Sequence, residues 1–321
     1  MARRQGGRKT AARPSQGDAP RQAASPPGEA MSRPPGPRPG LYPISTGSAE
    51  LVADGDSPDG WLLKINGVQS SHIVLSDPLR LDFEYMRWIT ALIEDRFAPA
   101  PTARLRVLHQ GGGGCSMPRY LAARYPDARQ VVVELDAKLA DYVRAWFDLP
   151  RAPFVRIRVG EARAVTESLT PQTRDIVIRD VFSGSFTPDP LTTVEFTQAS
   201  ARLLDAGGLY VANVGSAPDH VSARIEAAAI AEVFRHTAIV SDPAMLKGRR
   251  YGNIIIAGSA TPIPASPALR RRLLGGALPA QVWEDAEVRA WIGDAPPRRD
   301  PRQGATRGPE SEDRPASPPV P

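Results

Sequence analysis

From Arg104 onward, short aliphatic runs alternate with segments of helical periodicity, and this alternation leaves few architectures open. RLRVLHQ (104–110), QVVVEL (130–135), FVRIRVG (154–160), RDIVIRD (174–180) and GLYVANV (208–214) read as buried strands. Helical spacing fills 116–124, 136–147, 192–204 and 219–234, and closing strands are expected near 236–241 and 251–258. Such a series implies a doubly wound, mostly parallel α/β sheet. Ligands of these sheets sit at the carboxyl ends of the strands, near the reversal of strand order.

Upstream lies a smaller β-unit. SAELVAD (48–54) and WLLKINGVQSSHIVL (61–75) flank the turn-rich DGDSPDG, and Asn66-Gly67 is a hairpin signal. Residues 81–97 then place Leu81, Tyr85, Trp88, Ile89, Leu92 and Ile93 at helical spacing. The expected organisation is a basic Pro/Gly-rich tail (1–40), a β-unit with linking helix (41–98), a nucleoside-binding domain (99–262), short C-terminal helices (263–295) and a Pro-rich tail (296–321). Each tail contains eight prolines and lacks an apolar periodicity to offset ordering entropy, so both are expected to be disordered.

The formal charge of +5 raises the question of nucleic acid. Eight bases and two acids fall within 1–40, however, and 41–295 holds 27 bases against 29 acids. The basic tail has no aromatic residue to stack on bases, so it reads as a solvated extension. Met31 is an alternative start that would remove most of that charge. The single cysteine, Cys115, excludes a disulfide framework and reads as a small residue filling a loop. His72, His109, His220 and His236 show no metal-ligand spacing. No apolar run approaches the roughly 18–20 residues of a membrane span, and the N-terminus lacks a secretory h-region. A soluble cytoplasmic protein is expected, without nucleic-acid or membrane partners.

The residues that carry chemistry cluster at strand ends. Gly111 to Gly114 follow the first strand of the α/β series, where bare backbone can approach a ligand and the next helix presents free N–H groups. Glu134 ends the second strand, 20 residues beyond Gly114, a spacing suited to ribose hydroxyls. Glu161 follows the third strand and Asp180 ends the fourth. Three acids at consecutive strand ends favour an S-adenosylmethionine-type nucleoside over a dinucleotide; the alternative is that each acid caps the next helix. Asn213, after the fifth strand, is a weaker pointer to the same crevice.

LHQGGGGCSMPRYLA, VVVELD, VGEA, DIVIRDVFSGSFTPDPLTT and LKINGVQSS together resemble the spermidine synthases, or polyamine aminopropyltransferases, across about 51–260. The resemblance implies a seven-stranded, Rossmann-like sheet of the S-adenosylmethionine-dependent methyltransferase type, preceded by a small β-hairpin domain. It also implies a transferase of polyamine biosynthesis that moves an aminopropyl group from decarboxylated S-adenosylmethionine to a small-molecule amine, without a metal or a tightly bound cofactor. On this resemblance Asp180 is the catalytic base and Tyr85 orients the amine. Gln69 lies near the methionine-derived portion; Gly111, Gly112 and Gly113 form the glycine triplet; Glu134 takes the ribose and Glu161 the adenine side. A homodimer is the assembly expected from such relatives.

The sequence departs from the family pattern on the amine side. Gly114 stands where an aspartate is usual, Met86 and Arg87 replace His-Glu after the tyrosine, and Ser183 replaces a second aspartate. Asp189 restores that acid only if the loop carries an insertion. A polycation needs several carboxylates, so the amine site is expected to be atypical. A methyltransferase using S-adenosylmethionine itself and a non-catalytic nucleoside-binding protein are the alternatives.

Overall fold

The computed structural model describes residues 36–98, 104–184 and 186–301. Its first element is a four-stranded antiparallel meander: β1 (Gly40–Ile44), β2 (Gly47–Ala53), β3 (Gly60–Ile65) and β4 (Val68–Val74), in that spatial order. Asn66 and Gly67 both adopt positive φ and close the β3–β4 hairpin. Leu51, Leu63 and Ile73 bury the inner face of this sheet against Trp146 and Phe147. Helix α1 (Glu84–Arg96) follows and buries Trp88, Ile89, Leu92 and Ile93 on the α/β sheet. Each such burial stabilises by about 1.5–3 kcal/mol.

The larger sheet is built from β5 (Arg106–Gln110), β6 (Arg129–Glu134), β7 (Val155–Val159), β8 (Arg174–Arg179), β9 (Leu204–Ser216), β10 (His236–Ser241), β11 (Gly252–Ser259) and β12 (Gln281–Trp283). The strand order is β12-β10-β11-β9-β8-β5-β6-β7; β5 to β9 run parallel, and β10 to β12 pair antiparallel. The sheet therefore has eight strands where seven were expected. The extra strand, β12, is three residues long and lies within the stretch read as short helices; it pairs with the edge of β10. Around the sheet lie α2 (Ser116–Arg124), α3 (Ala137–Trp146), α4 (Ala162–Ser168), α5 (Val194–Leu203), α6 (Val221–Val233), α7 (Pro243–Leu246), α8 (Pro267–Leu274) and α9 (Asp285–Ile292). Among the described residues, no helix is long and apolar enough to cross a membrane.

Strand alternation sends successive side chains to opposite faces. Ile176 and Ile178 of β8 and Leu209 and Val211 of β9 pack on the α1 side. Val177, Tyr210, Ala212 and Val214 pack on the other side, with Ala223, Ala227 and Ile230 of α6.

Of the disorder expected over 1–40 and 296–321, the parts at 1–35 and 302–321 lie outside the described residues, while Gly40 already begins β1. Residues 296–301, expected within the C-terminal tail, are instead fastened to the domain. The Arg298 carbonyl accepts from Val194 N at 2.9 Å, Arg298 pairs with Asp189 at 2.9 Å, and Arg299 pairs with Glu232 at 2.6 Å. Arg163 of α4 donates to Asp300 Oδ1 at 2.8 Å and also pairs with Oδ2. Ion pairs, which leave no apolar periodicity, hold this strap. The Arg163 guanidinium draws the Asp300 carboxyl below its usual pKa. A carboxyl depressed in the fold stabilises above its unfolded pKa, and that stabilisation is lost as pH falls through the folded value. Asp300→Ala is therefore expected to cost about 1 kcal/mol at neutral pH, or roughly 2–4 °C in Tm. Thermal melts should show the difference closing in acid; equal melting temperatures at neutral pH would mean that the Arg163–Asp300 pair contributes nothing.

Candidate functional site

The glycine loop between β5 and α2 forms the floor of the site. Gly111 has φ +99°, and a Cβ there would lie 2.1 Å from the Asp180 carbonyl oxygen. The loop thus runs directly against the end of β8, as the backbone bond from Asp180 N to the Gln110 carbonyl (2.9 Å) also requires. On its other side the loop meets β4. Gly114 N donates to Ser71 Oγ at 2.8 Å, and a Cβ at Gly114 would stand 2.7 Å from the Ser71 Cβ. No side chain fits at 114 without moving β4, which accounts for the glycine in place of an acid. Cys115, buried beside it, has its thiol pushed up to about 12 by desolvation, and its role is packing.

Glu134 closes the loop from β6. Its Oε2 accepts from Gly112 N and Gly113 N, each at 3.2 Å, and its Oε1 accepts from Asp136 N at 3.0 Å. Burial nevertheless raises its pKa, against the pull of those amides. The glycine amides and the carboxylate thus converge on one another at the end of the loop, where no Cβ intrudes. Glu161 is exposed and caps α4, its oxygens accepting from Arg163 N at 2.9 Å and Ala164 N at 2.7 Å. Gln69 is exposed on β4, one residue before Ser70, whose Oγ faces Gly113.

Asp180 lies at the opposite end of this floor. It continues the parity of Ile176 and Ile178, so its half-buried carboxylate faces α1. There Tyr85 Oη donates to Oδ2 at 3.1 Å, and Asn213 Nδ2 donates to Oδ1 at 2.9 Å. Burial raises the Asp180 pKa, and the hydrogen bonds from Asn213 and Tyr85 and the charge of Arg179 oppose it. Burial and the adjacent carboxylate hold the Tyr85 hydroxyl well above its ordinary pKa, so it stays a donor. A half-buried carboxylate with two fixed donors is a proton acceptor of defined direction. Asn213 Oδ1 has no hydrogen-bond partner among the described residues and is buried, so it offers a second acceptor beside the first.

The substituted positions also have structural explanations. Met86 is buried in the core, and Arg87 donates to the carbonyls of Leu81 and Asp82, both at 2.7 Å. Its charge is spent at the start of α1, two positions around the helix from Tyr85. Ser183 N bonds the Phe186 carbonyl at 2.8 Å in a tight turn. Asp189 is engaged by Arg298 and does not replace the missing acid.

Sequence reasoning did not single out two exposed aliphatic residues beside Glu134. Leu135 and Val159 are exposed at 61% and 51%, at the ends of β6 and β7, where Glu134 pairs with Val159. An aliphatic residue directly beyond a strand-ending acid was the available signal. Asn213 was noticed only as a polar residue at a strand end. Its partnership with Asp180 depends on the β8–β9 register.

No protein-family model matches the chain. It is similar to a probable spermidine synthase from Corynebacterium glutamicum, with 49% identity, 85% of this chain and 100% of that chain covered, and a TM-score of 0.80. A polyamine aminopropyltransferase of Vibrio vulnificus is 30% identical over 198 residues, which are 60% of this chain and 61% of the relative. The chain spans about three fifths of the length of the curated relatives it matches. A spermidine synthase in complex with the transition-state analogue AdoDATO is alike in fold, with 15% identity, a TM-score of 0.51 and 79% and 82% of the two chains covered.

Proposed function

The chain belongs to the spermidine synthase family, and on that premise we propose that it transfers an aminopropyl group from decarboxylated S-adenosylmethionine to an amine. The observation that carries this reading is the Asp180 carboxylate, fixed by Tyr85 and Asn213 beside the bare Gly111–Gly113 loop. Glu134 accepts from the ribose hydroxyls, Leu135 and Val159 flank the base, Glu161 serves its amino edge, and Gln69 serves the methionine-derived portion.

The step is a displacement at carbon. An ammonium has no free lone pair, so Asp180 first takes its proton and, with Tyr85, holds the nitrogen in line with the aminopropyl carbon. The nitrogen lone pair forms the new C–N bond, and the C–S bond breaks with its electrons going to the positive sulfur. The products are methylthioadenosine and a secondary ammonium, and Asp180 releases the proton it took to solvent. Asn213 Oδ1 accepts a second N–H of the amine and fixes its rotation. With Asp189 and Arg87 already engaged and no carboxylate at 114 or 183, the amine half carries fewer acids than a polycation calls for.

Gly114 favours a second reading. Without an acid at that position, nothing there repels the carboxylate of S-adenosylmethionine itself, and methyl transfer follows if that nucleoside is the one bound.

Calorimetric titration of the full chain separates the two. Tighter binding of decarboxylated S-adenosylmethionine or methylthioadenosine supports aminopropyl transfer; preference for S-adenosylmethionine supports methyl transfer. Binding of none of the three would overturn both. Glu134→Ala should weaken whichever nucleoside binds by roughly 10–100-fold, the worth of charge-assisted hydrogen bonds in a buried cradle. Unchanged affinity would mean that the ribose lies elsewhere.

A further inference from the structure

We propose that Arg179 is a positioning residue that clamps Thr187 from within the sheet and thereby holds the segment leaving Asp180, so that the carboxylate stays aimed at the acceptor amine. The inference rests on the transfer reaction proposed above.

Arg179 immediately precedes Asp180 and takes the opposite parity. It continues the row of Val177 into the face covered by α6, where it is fully buried. On that face Arg179 lies beside its cross-strand neighbour Gln110, whose amide is bonded to Thr166 and Ser200; it forms a buried ion pair with Glu226 of α6, and Tyr210 of β9 faces it. A buried ion pair seldom stabilises a fold more than apolar residues of the same volume, and an aliphatic side chain would match the neighbours Val177, Ala212 and Val214. The guanidinium reaches what an aliphatic could not: its Nη1 donates to Thr187 Oγ1 at 2.6 Å.

Thr187 lies seven residues beyond Asp180, just past the Ser183–Phe186 turn. The chain after it is held separately. Arg163 donates to the Pro190 carbonyl at 3.2 Å, and Arg298 pairs with Asp189 at 2.9 Å. At the near end, Asp180 N is fixed to the Gln110 carbonyl. Arg179 thus spans the turn from one side to the other, and Glu226 sets the direction in which its fork points. With Thr187 released, the chain beyond the Ser183–Phe186 turn loses the anchor that Arg179 gives it from within the sheet. The Asp180 side chain, whose two hydrogen bonds come from α1 and β9, then loses one restraint on the chain that leads away from it, while its own N–H stays on the Gln110 carbonyl.

The test uses the full chain with Thr187→Val, Thr187→Ser and Glu226→Gln. Acceptor kinetics are measured, together with methylthioadenosine affinity by calorimetry and hydrogen–deuterium exchange over 181–191. Thr187→Val is expected to lower kcat/KM for the acceptor five- to fiftyfold, to leave methylthioadenosine affinity within twofold, and to speed exchange in 181–191. Thr187→Ser keeps kcat/KM and exchange at their wild-type values. Glu226→Gln, if it folds, reproduces the valine variant; if it does not fold, the Thr187 pair decides alone. Wild-type kcat/KM and exchange in Thr187→Val, or failure of serine to rescue, would overturn the proposal. Should the wild-type chain transfer no aminopropyl group, the reaction assigned above is wrong, and the exchange comparison by itself supports or overturns the clamp.

Discussion

Asp180→Asn is expected to lower kcat for aminopropyl transfer by about 10²–10⁴-fold, the range of a positioned general base, while methylthioadenosine still binds. The substitution preserves shape and leaves an oxygen for the Tyr85 hydroxyl, but an amide cannot take a proton from an ammonium. Its nitrogen would face Asn213, whose amide can turn to present as acceptor the Oδ1 that lacks a partner among the described residues. The pH dependence follows from burial, which raises the Asp180 pKa above its ordinary value. The base is active only when ionised, so the rate should rise with pH through that raised carboxyl range, and this limb should vanish in the variant. For stability the sign is reversed relative to Asp300. A carboxyl whose folded pKa lies above its unfolded value favours the fold most when protonated, and that contribution is lost as pH rises through the two values. Removing the charge therefore relieves a cost at neutral pH, and the variant's Tm should not fall. Lost turnover with an undiminished Tm separates chemistry from folding; unchanged turnover would sink the assignment of the base.

Gly111→Ala should damage both the fold and the site. The new Cβ would stand 2.1 Å from the carbonyl oxygen of Asp180 and 2.9 Å from its carbon, at a backbone φ of +99°. The obstacle is backbone in a central parallel sheet, which cannot swing aside as a side-chain tip can. Strain at a φ of that kind costs about 1–3 kcal/mol, and overpacking adds a similar amount. The total, about 2–6 kcal/mol, corresponds to a Tm lowered by roughly 5–20 °C. Asp180 is the residue displaced, so turnover should fall even at temperatures where the variant stays folded. Gly112→Ala is the control: its Cβ would meet Glu134 Oε2 and Val132 Cγ1, both at 3.0 Å, at no positive φ and against side chains rather than backbone, so its Tm should fall less than that of Gly111→Ala and nucleoside affinity should weaken. A Gly111→Ala melting point within a degree of wild type would show that the loop does not lie against β8 as described.

The parallel strands were legible because β5 to β8 are runs of five or six residues and β9 a longer one, all with aliphatic cores bounded by turn residues or a helical period. Asn66-Gly67 announced its hairpin for a similarly local reason, since that pair accepts positive φ at both positions. β12 was not legible, because three residues are too few to show alternation. The strap at 296–301 was hidden for another reason. Prolines and arginines without apolar spacing look the same in solvent and on a surface, and the partner of Asp300 is Arg163, 137 residues away. Arg179 read as one charge in a strand and became a buried group only through Glu226, 47 residues later.

Local pattern determined which residues end strands, and therefore that Gly111, Glu134 and Asp180 gather at one edge of the sheet. It also determined their parity, placing Asp180 with Ile178 and Arg179 with Val177. Which helix covers which face is a matter of packing among segments far apart in the chain, and no local period encodes it. Only the tertiary structure therefore brought Tyr85 and Asn213 to one side of β8 and Glu226 to the other. The same acid and base at adjacent positions thereby acquired opposite surroundings, one a half-buried crevice with two donors and the other a sealed ion pair.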